Sequence, residues 1–284
     1  MKEIYFSKND LSNLGYSLNR EVLRANVSNA YSCTTLTFCN TRKYHGLLIV
    51  PQPKIDNQNH VLLSSLDETI NQNNNSFHLA LHCYQNGVYS PKGHKYLESY
   101  ELGVLPTHTY RIGSIVLLKQ MFFQEKQDRL LIKYTLKEAL QDIELELQPF
   151  LAFRQIHKLS KSNDNANSSF KNAEQGVCFK MYDNYTPLYI QFSKKVEYDH
   201  NPYWYYNFEY IKERTFGITL TIASVARLLP SAIFIKSCSL EYGIITVNLP
   251  CSANNFSTEA TKSSKLKVSV WRAVFLLFSG AFSE

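Results

Sequence analysis

From Val61 to Leu151, apolar and β-branched residues recur with a period near two, in short runs bounded by Asn, Gly, Pro or charge. Alternation of this kind lays one face of an extended segment on a core. It predicts strands over Val61–Ser65, Phe77–Tyr84, Gly113–Phe123, Leu130–Leu136 and Ile143–Phe150. Asn71–Asn75 (NQNNN) and Gln85–Gly87 (QNG) lie between such runs, and Asn and Gly tolerate the positive φ of tight hairpin turns. Ser160–Asn172 is polar and poor in β formers, which predicts a surface loop. Val177–Met181, Leu188–Phe192 and Val196–Tyr198 then resume the strand pattern. Many short strands without intervening helices favour an antiparallel sandwich over a parallel α/β sheet. The expected class is all-β for residues 1–214.

The last seventy residues differ. Residues 215–284 hold three acids (Glu241, Glu259, Glu284) against six basic residues, serine rises, and neither a helical nor an alternating period is sustained. The expectation is an atypical C-terminal tail, from a shifted reading frame or a truncated gene, that contributes little to a core.

Composition narrows the class. Hydrophobic residues make up 44% and charged residues 19%, with 17 Phe and 19 Tyr against only 10 Gly, which excludes collagenous, coiled-coil and low-complexity chains. The net charge of +6 is spread along the chain with no run of five basic residues, so neither nucleic acid nor a membrane surface is expected as a partner. Neither GxGxxG nor GxxxxGK[ST] occurs, which argues against a nucleotide site. Cys33, Cys39, Cys83, Cys178, Cys238 and Cys251 form no CxxC pair, so reduced thiols are expected and a structural zinc site is not. The first ten residues carry four charges and no apolar core for a signal peptide, and the longest apolar runs are too short to span a bilayer. A cytoplasmic chain without cofactor or metal is expected.

Three stretches carry candidate chemistry. In residues 20–51, REVLRANVSNAYSCTTLTFCNTRKYHGLLIVP, the polar string Asn40-Thr41-Arg42-Lys43-Tyr44-His45-Gly46 stands directly before an apolar strand, longer than a simple bend requires. Arg42 offers a fork of donors, Asn40 an amide, Tyr44 a flat face with a hydroxyl, and His45 a group that donates or accepts. That set suits neutral polyhydroxylated ligands. It equally suits an architectural role, with Arg42 and Asn40 capping backbone groups and His45 satisfied in the interior. The second stretch is Leu147–Leu159, LQPFLAFRQIHKL, with Arg154 and His157. The third is residues 201–214, NPYWYYNFEYIKER, an aromatic cluster that fits a core, an interface or a stacking platform.

The order of the strings CNTRKYHGLL, PFLAFRQIH and NPYWYYNFEYIKER resembles the N-terminal domain of the bacterial and archaeal type of glycogen-debranching enzyme, amylo-α-1,6-glucosidase. The resemblance spans roughly residues 15–214. It implies a large, supersandwich-like β-sandwich preceding a glucoamylase-like α/α barrel. It also implies an α-glucan such as glycogen as ligand, with Asn40, Arg42, Tyr44, His45, Arg154 and His157 binding substrate or facing the barrel. The sequence departs from the family where Ser28-Asn29-Ala30-Tyr31 replaces a Gly-Gly-Tyr-like run, and where Val22 replaces a common Trp.

In the family the hydrolytic carboxylates lie in the barrel, and residues 215–284 show none of its repeating helices. Within the first 214 residues, Asp67/Glu68 are adjacent on a strand and so face opposite ways, whereas Glu144/Glu146 share a face expected to be solvated. No catalytic residue is expected, and this chain alone is expected to be inactive. Two alternatives stay open: a glycoside hydrolase acting through an unrecognised site, and a weak polyanion-binding protein.

Overall fold

The computed structural model describes residues 4–103, 105–194, 196–200, 202–214, 222–227, 230–237 and 242–249. The chain begins with β1 (Ile4–Ser7) and two short helices, α1 (Lys8–Ser12) and α2 (Leu14–Ser17). Ser7 starts α1 through a reciprocal cap: its hydroxyl accepts from the Asp10 N–H, and the Asp10 carboxylate accepts from the Ser7 N–H at 2.8 Å. Then follow β2 (Glu21–Ala25), β3 (Tyr31–Thr35), β4 (Gly46–Pro51) and the long β5 (Asn59–Gln72). Three short strands come next, β6 (Asn75–His78), β7 (Leu81–Tyr84) and β8 (Val88–Lys92). A meander of β9 (Leu97–Leu102), β10 (Pro106–Ile112), β11 (Ile115–Phe123) and β12 (Arg129–Glu138) leads to β13 (Ile143–Gln155).

Past the polar loop, which ends by residue 170, come β14 (Phe170–Ala173), β15 (Gly176–Phe179) and β16 (Leu188–Phe192). The described chain closes with β17 (Glu197–His200), β18 (Tyr203–Glu209), the one-turn helix α3 (Ile211–Arg214), β19 (Ile222–Arg227), β20 (Pro230–Ser237) and β21 (Tyr242–Asn248).

These strands form two antiparallel sheets, which makes the fold an all-β sandwich. One has nine strands in the order β1-β9-β10-β11-β12-β21-β16-β15-β14. The other has twelve, with the path β2-β3-β4-β5-β13-β19-β18-β7-β8, β6 beside β5, and β20 between β13 and β17. Asn73 and Asn74 turn at φ 49° and 62°, and Asn86 and Gly87 at φ 68° and 72°, the left-handed hairpin corners that the sequence predicts. The predicted strand Phe77–Tyr84 is two strands: β6 stays beside β5, whereas β7 leaves to pair with β8 and β18.

Part of the C-terminal tail carries strands that the sequence pattern does not predict. Strands continue beyond Arg214: β19 and β20 pair with β13, and β21 lies between β12 and β16, with Val247 buried. Residues 242–248 are therefore an interior strand of the nine-stranded sheet. The part of the tail from 250 to 284 lies outside the described residues.

The core fills the space between the sheets. Leu62, Leu66, Ile70, Leu145, Leu147 and Leu151 of the twelve-stranded sheet meet Leu117, Leu130, Ile132, Tyr134, Ile190 and Phe192 of the other. Glu68 also points inward, where Lys119 Nζ lies 2.6 Å from its carboxylate and the Tyr134 hydroxyl donates to it. Asp67 faces the other way and accepts from His82 Nε2 at 2.7 Å, as the strand alternation requires. No helix among the described residues is long and apolar enough to cross a membrane.

Candidate functional site

Residues 40–45 form the connection from β3 to β4, and long-range contacts shape them. Asn40 Nδ2 donates to the carbonyl of Ser64 at 3.1 Å and to its hydroxyl at 3.2 Å, which ties the start of the string to β5. The loop then closes on itself: the Thr41 N–H donates to His45 Nδ1 at 3.1 Å, and the His45 N–H donates to the Arg42 carbonyl at the same distance. Gly46 ends the loop where a Cβ would lie 2.8 Å from Val61 Cγ1, so β4 approaches β5 too closely for a larger residue.

His45 is fully buried, and its Nε2 lies 3.4 Å from Glu21 Oε1 at the start of β2. Arg42 Nε donates to that same oxygen at 2.7 Å, with 26% of the Arg42 side chain exposed. Burial pushes the Glu21 carboxyl up, but the hydrogen bond and charge of His45, then of Arg42, outweigh it and hold the group down to about 2. Burial lowers the His45 imidazole, and Glu21 only partly offsets this. The ring is therefore neutral at pH 7, with Nδ1 accepting and the proton on Nε2.

Glu21, Cys33 and His45 bring one ligand atom each within 4.8 Å of one another. The tautomer argues against a cation there, because a ligating Nε2 would need its lone pair while Nδ1 is already held as an acceptor. Arg42 shares the carboxylate, and burial pushes the Cys33 thiol up to about 12, so no thiolate is available.

Arg154, at the end of β13, is buried and faces no carboxylate among the described residues. Its guanidinium donates to the carbonyls of Lys43 at 2.5 Å, Lys158 at 3.1 Å and Gln155 at 3.3 Å, and to the Tyr210 hydroxyl at 3.4 Å. It is a fork that fastens three chain segments together. His157 projects beyond this knot and is exposed; its Nδ1 lies 3.3 Å from the Tyr44 hydroxyl, and the two rings meet edge-on with centroids 5.5 Å apart.

The structure thus brings all six sequence-derived residues into one region, in two layers. Asn40, His45 and Arg154 direct polar atoms at the protein itself. Tyr44, His157 and the outer part of Arg42 form a rim that reaches solvent. Such a rim can offer hydrogen bonds and one aromatic face to a ligand, and the carboxylates of Glu21 and Glu213 beside it are paired with Arg42 and Lys43.

Three partners of this region are not among the site residues that the sequence singles out: Glu21, Glu213 and Tyr210. Glu213 of α3 accepts from the Lys43 N–H at 3.3 Å, and the Lys212 N–H donates to the Thr41 carbonyl at 3.0 Å, so α3 is clamped to the string. Lys43 and Glu213 are 170 positions apart, and nothing local marks them as a pair. The aromatic cluster divides: Phe208 and Tyr210 are buried with Phe150 in a satellite core, Trp204 packs toward the main core, and Tyr203 and Tyr206 are exposed. Cys33, Cys39, Cys83 and Cys178 are free thiols, while Cys238 and Cys251 lie outside the described residues.

The other proposed carboxylates are equally occupied. Asn71 Nδ2 donates to Glu144 at 3.3 Å and to Glu146 at 3.5 Å, which puts both acids on one partly exposed face of β13.

No curated protein matches the chain. The family described as glycogen debranching enzyme N terminal matches residues 20–221, a span that takes in the string, the Arg154 knot, the aromatic cluster and α3. With most of its length inside that match, and with the sandwich that the matching strings imply, the chain belongs to the glycogen debranching enzyme N-terminal family.

Proposed function

We propose that the chain is an α-glucan-associated domain, cytoplasmic and without cofactor or metal, which holds glycogen weakly and hydrolyses nothing by itself. The observation that carries this reading is the exposed pairing of Tyr44 with His157 on a base of buried His45 and Arg154 and half-buried Asn40, all three bonded to backbone groups. A sugar ring presents an apolar face edged by hydroxyls. The rim supplies an aromatic face, a phenol, an imidazole and a guanidinium fixed in position, so little ordering entropy opposes the contact.

The clamp of α3 onto the string supports the second half of the reading. In the family a barrel follows the sandwich, and here the segment ending at Arg214 lies against Thr41 and Lys43. A glucoamylase-like barrel, encoded with or apart from this sandwich, would dock on that side and place the rim beside its substrate path.

Glycoside hydrolysis requires two carboxyl groups roughly 5–10 Å apart across the scissile bond. Near the rim, Glu21 is committed to Arg42 and Glu213 to Lys43. The test is glucose release from a branched α-glucan. The purified chain is expected to release none, and release abolished by a single Asp or Glu substitution would establish the hydrolase reading instead.

A further inference from the structure

At the sandwich edge, the β2–β3 turn, the loop after β4 and Asp128 at the start of β12 enclose an open cleft of about 780 Å3. This is the size of sites that hold small ligands, which run roughly 300–1,000 Å3. It lies apart from the string, and neither Tyr44 nor His157 lines it.

Its walls are fixed. Asn26 Oδ1 accepts from the N–H groups of Ser28 at 3.1 Å and Ala30 at 2.9 Å, while its Nδ2 donates to Asp128 at 2.8 Å. Asn59 Nδ2 donates to the Asn29 carbonyl at 3.1 Å and so joins the two loops. Asn29 and Asn57 sit at φ 65° and 57°, left-handed positions that aim their side chains from tight corners.

Against these paired walls, the side chains of Asn29, Asn57, Gln58 and Thr186 line the cleft and make no hydrogen bond to the described residues. Each amide offers both a donor and an acceptor, the alternation that neighbouring sugar hydroxyls present in return. Pro51, Pro53 and Leu249 add apolar surface for ring faces.

Charge excludes the anionic classes. Among the described residues no lysine or arginine lines the cleft, and the one carboxylate there, Asp128, would repel a phosphate or sulfate. We infer that this cleft is a separate binding site for a neutral oligosaccharide. The inference stands on the lining alone and does not require the string to bind glucan.

The experiment is a titration of the full-length, 15N-labelled chain with maltoheptaose, and in parallel with cellohexaose, following the backbone and side-chain amide resonances. Saturable shifts of Asn29, Asn57 and Gln58 are expected. The double variant Asn57→Gly/Gln58→Ala, in which glycine keeps the left-handed backbone, should bind about tenfold more weakly, the effect of losing one or two neutral hydrogen bonds. A response to maltoheptaose alone assigns an α-glucan, and one to cellohexaose alone a β-glucan. Cleft amides that ignore both sugars, or an unchanged affinity in the double variant, would overturn the proposal. Shifts confined to Tyr44 and His157 would remove the cleft and leave the string as the glucan site.

Discussion

Arg154 Nη2 donates to the Lys43 carbonyl at 2.5 Å across 111 positions of sequence, so the end of β13 holds the polar string in place. The side chain is buried, and its Nη1 and Nη2 groups donate to backbone oxygens and the Tyr210 hydroxyl. Replacing Arg154 by Ala would strand at least three carbonyls and should cost about 3 kcal/mol or more at ~1 kcal/mol per lost bond. Tyr44→Ala, at the rim, should change the denaturation midpoint much less. Equal losses in chemical denaturation would show that the two layers are not distinct.

Acid should destabilise the fold through its buried imidazoles. Burial, then the Lys119 charge, press His108 down to about 3 against the pull of its bond to the Leu36 carbonyl. A histidine whose folded pKa lies below the unfolded value of about 6.5 binds fewer protons when native, so stability is lost as pH falls from about 6.5 toward 3. His45 acts in the same direction, and Glu21, held down to about 2, adds a further loss below its ordinary range. His108→Gln, which can still donate to Leu36, should flatten the slope of stability against pH by up to about one proton. An unchanged slope in denaturant titrations at several pH values would contradict this assignment.

Between the sheets, Glu68 and Lys119 pair at 2.6 Å with almost no exposure, and Lys119 Nζ lies 3.7 Å from the Phe38 ring centroid. Removing one partner leaves the other charged in an apolar layer, at a cost of about 3–5 kcal/mol. Lys119→Met alone should therefore be severely destabilising, and Lys119→Met with Glu68→Leu should recover most of the loss. A double variant no better than the single one would mean that packing, not charge, dominates there.

Ending the chain at Arg214 would delete β21 and separate β12 from β16, leaving pieces of five and three strands of the nine-stranded sheet. Both new edges would be open to pairing with other copies. The truncated chain is expected to lose its cooperative thermal transition and to aggregate. A truncated chain that melts like the parent would contradict the placement of β21.

The sequence made the hairpin corners legible because Asn73-Asn74 and Asn86-Gly87 are residue types that accept positive φ. It hid the break inside Phe77–Tyr84, where Leu79 and Ala80 are buried and carry no turn chemistry. It hid β21 for a related reason: residues 243–247 (GIITV) are too short to sustain a period, and a strand interior to a sheet need not alternate. The string was visible from its polar density. Its division into a buried base and an exposed rim was not, since it depends on Glu21, Glu213 and Tyr210, which reach it only after folding.

The most direct measurement is electrophoretic retention of the full-length chain in native gels containing glycogen, run over a range of salt, beside Tyr44→Ala. Contacts made by hydrogen bonds and one aromatic face should give weak retention, nearly independent of salt and reduced in the variant. Migration unaffected by glycogen, or retention that collapses steeply with salt as polyanion binding does, would contradict the account.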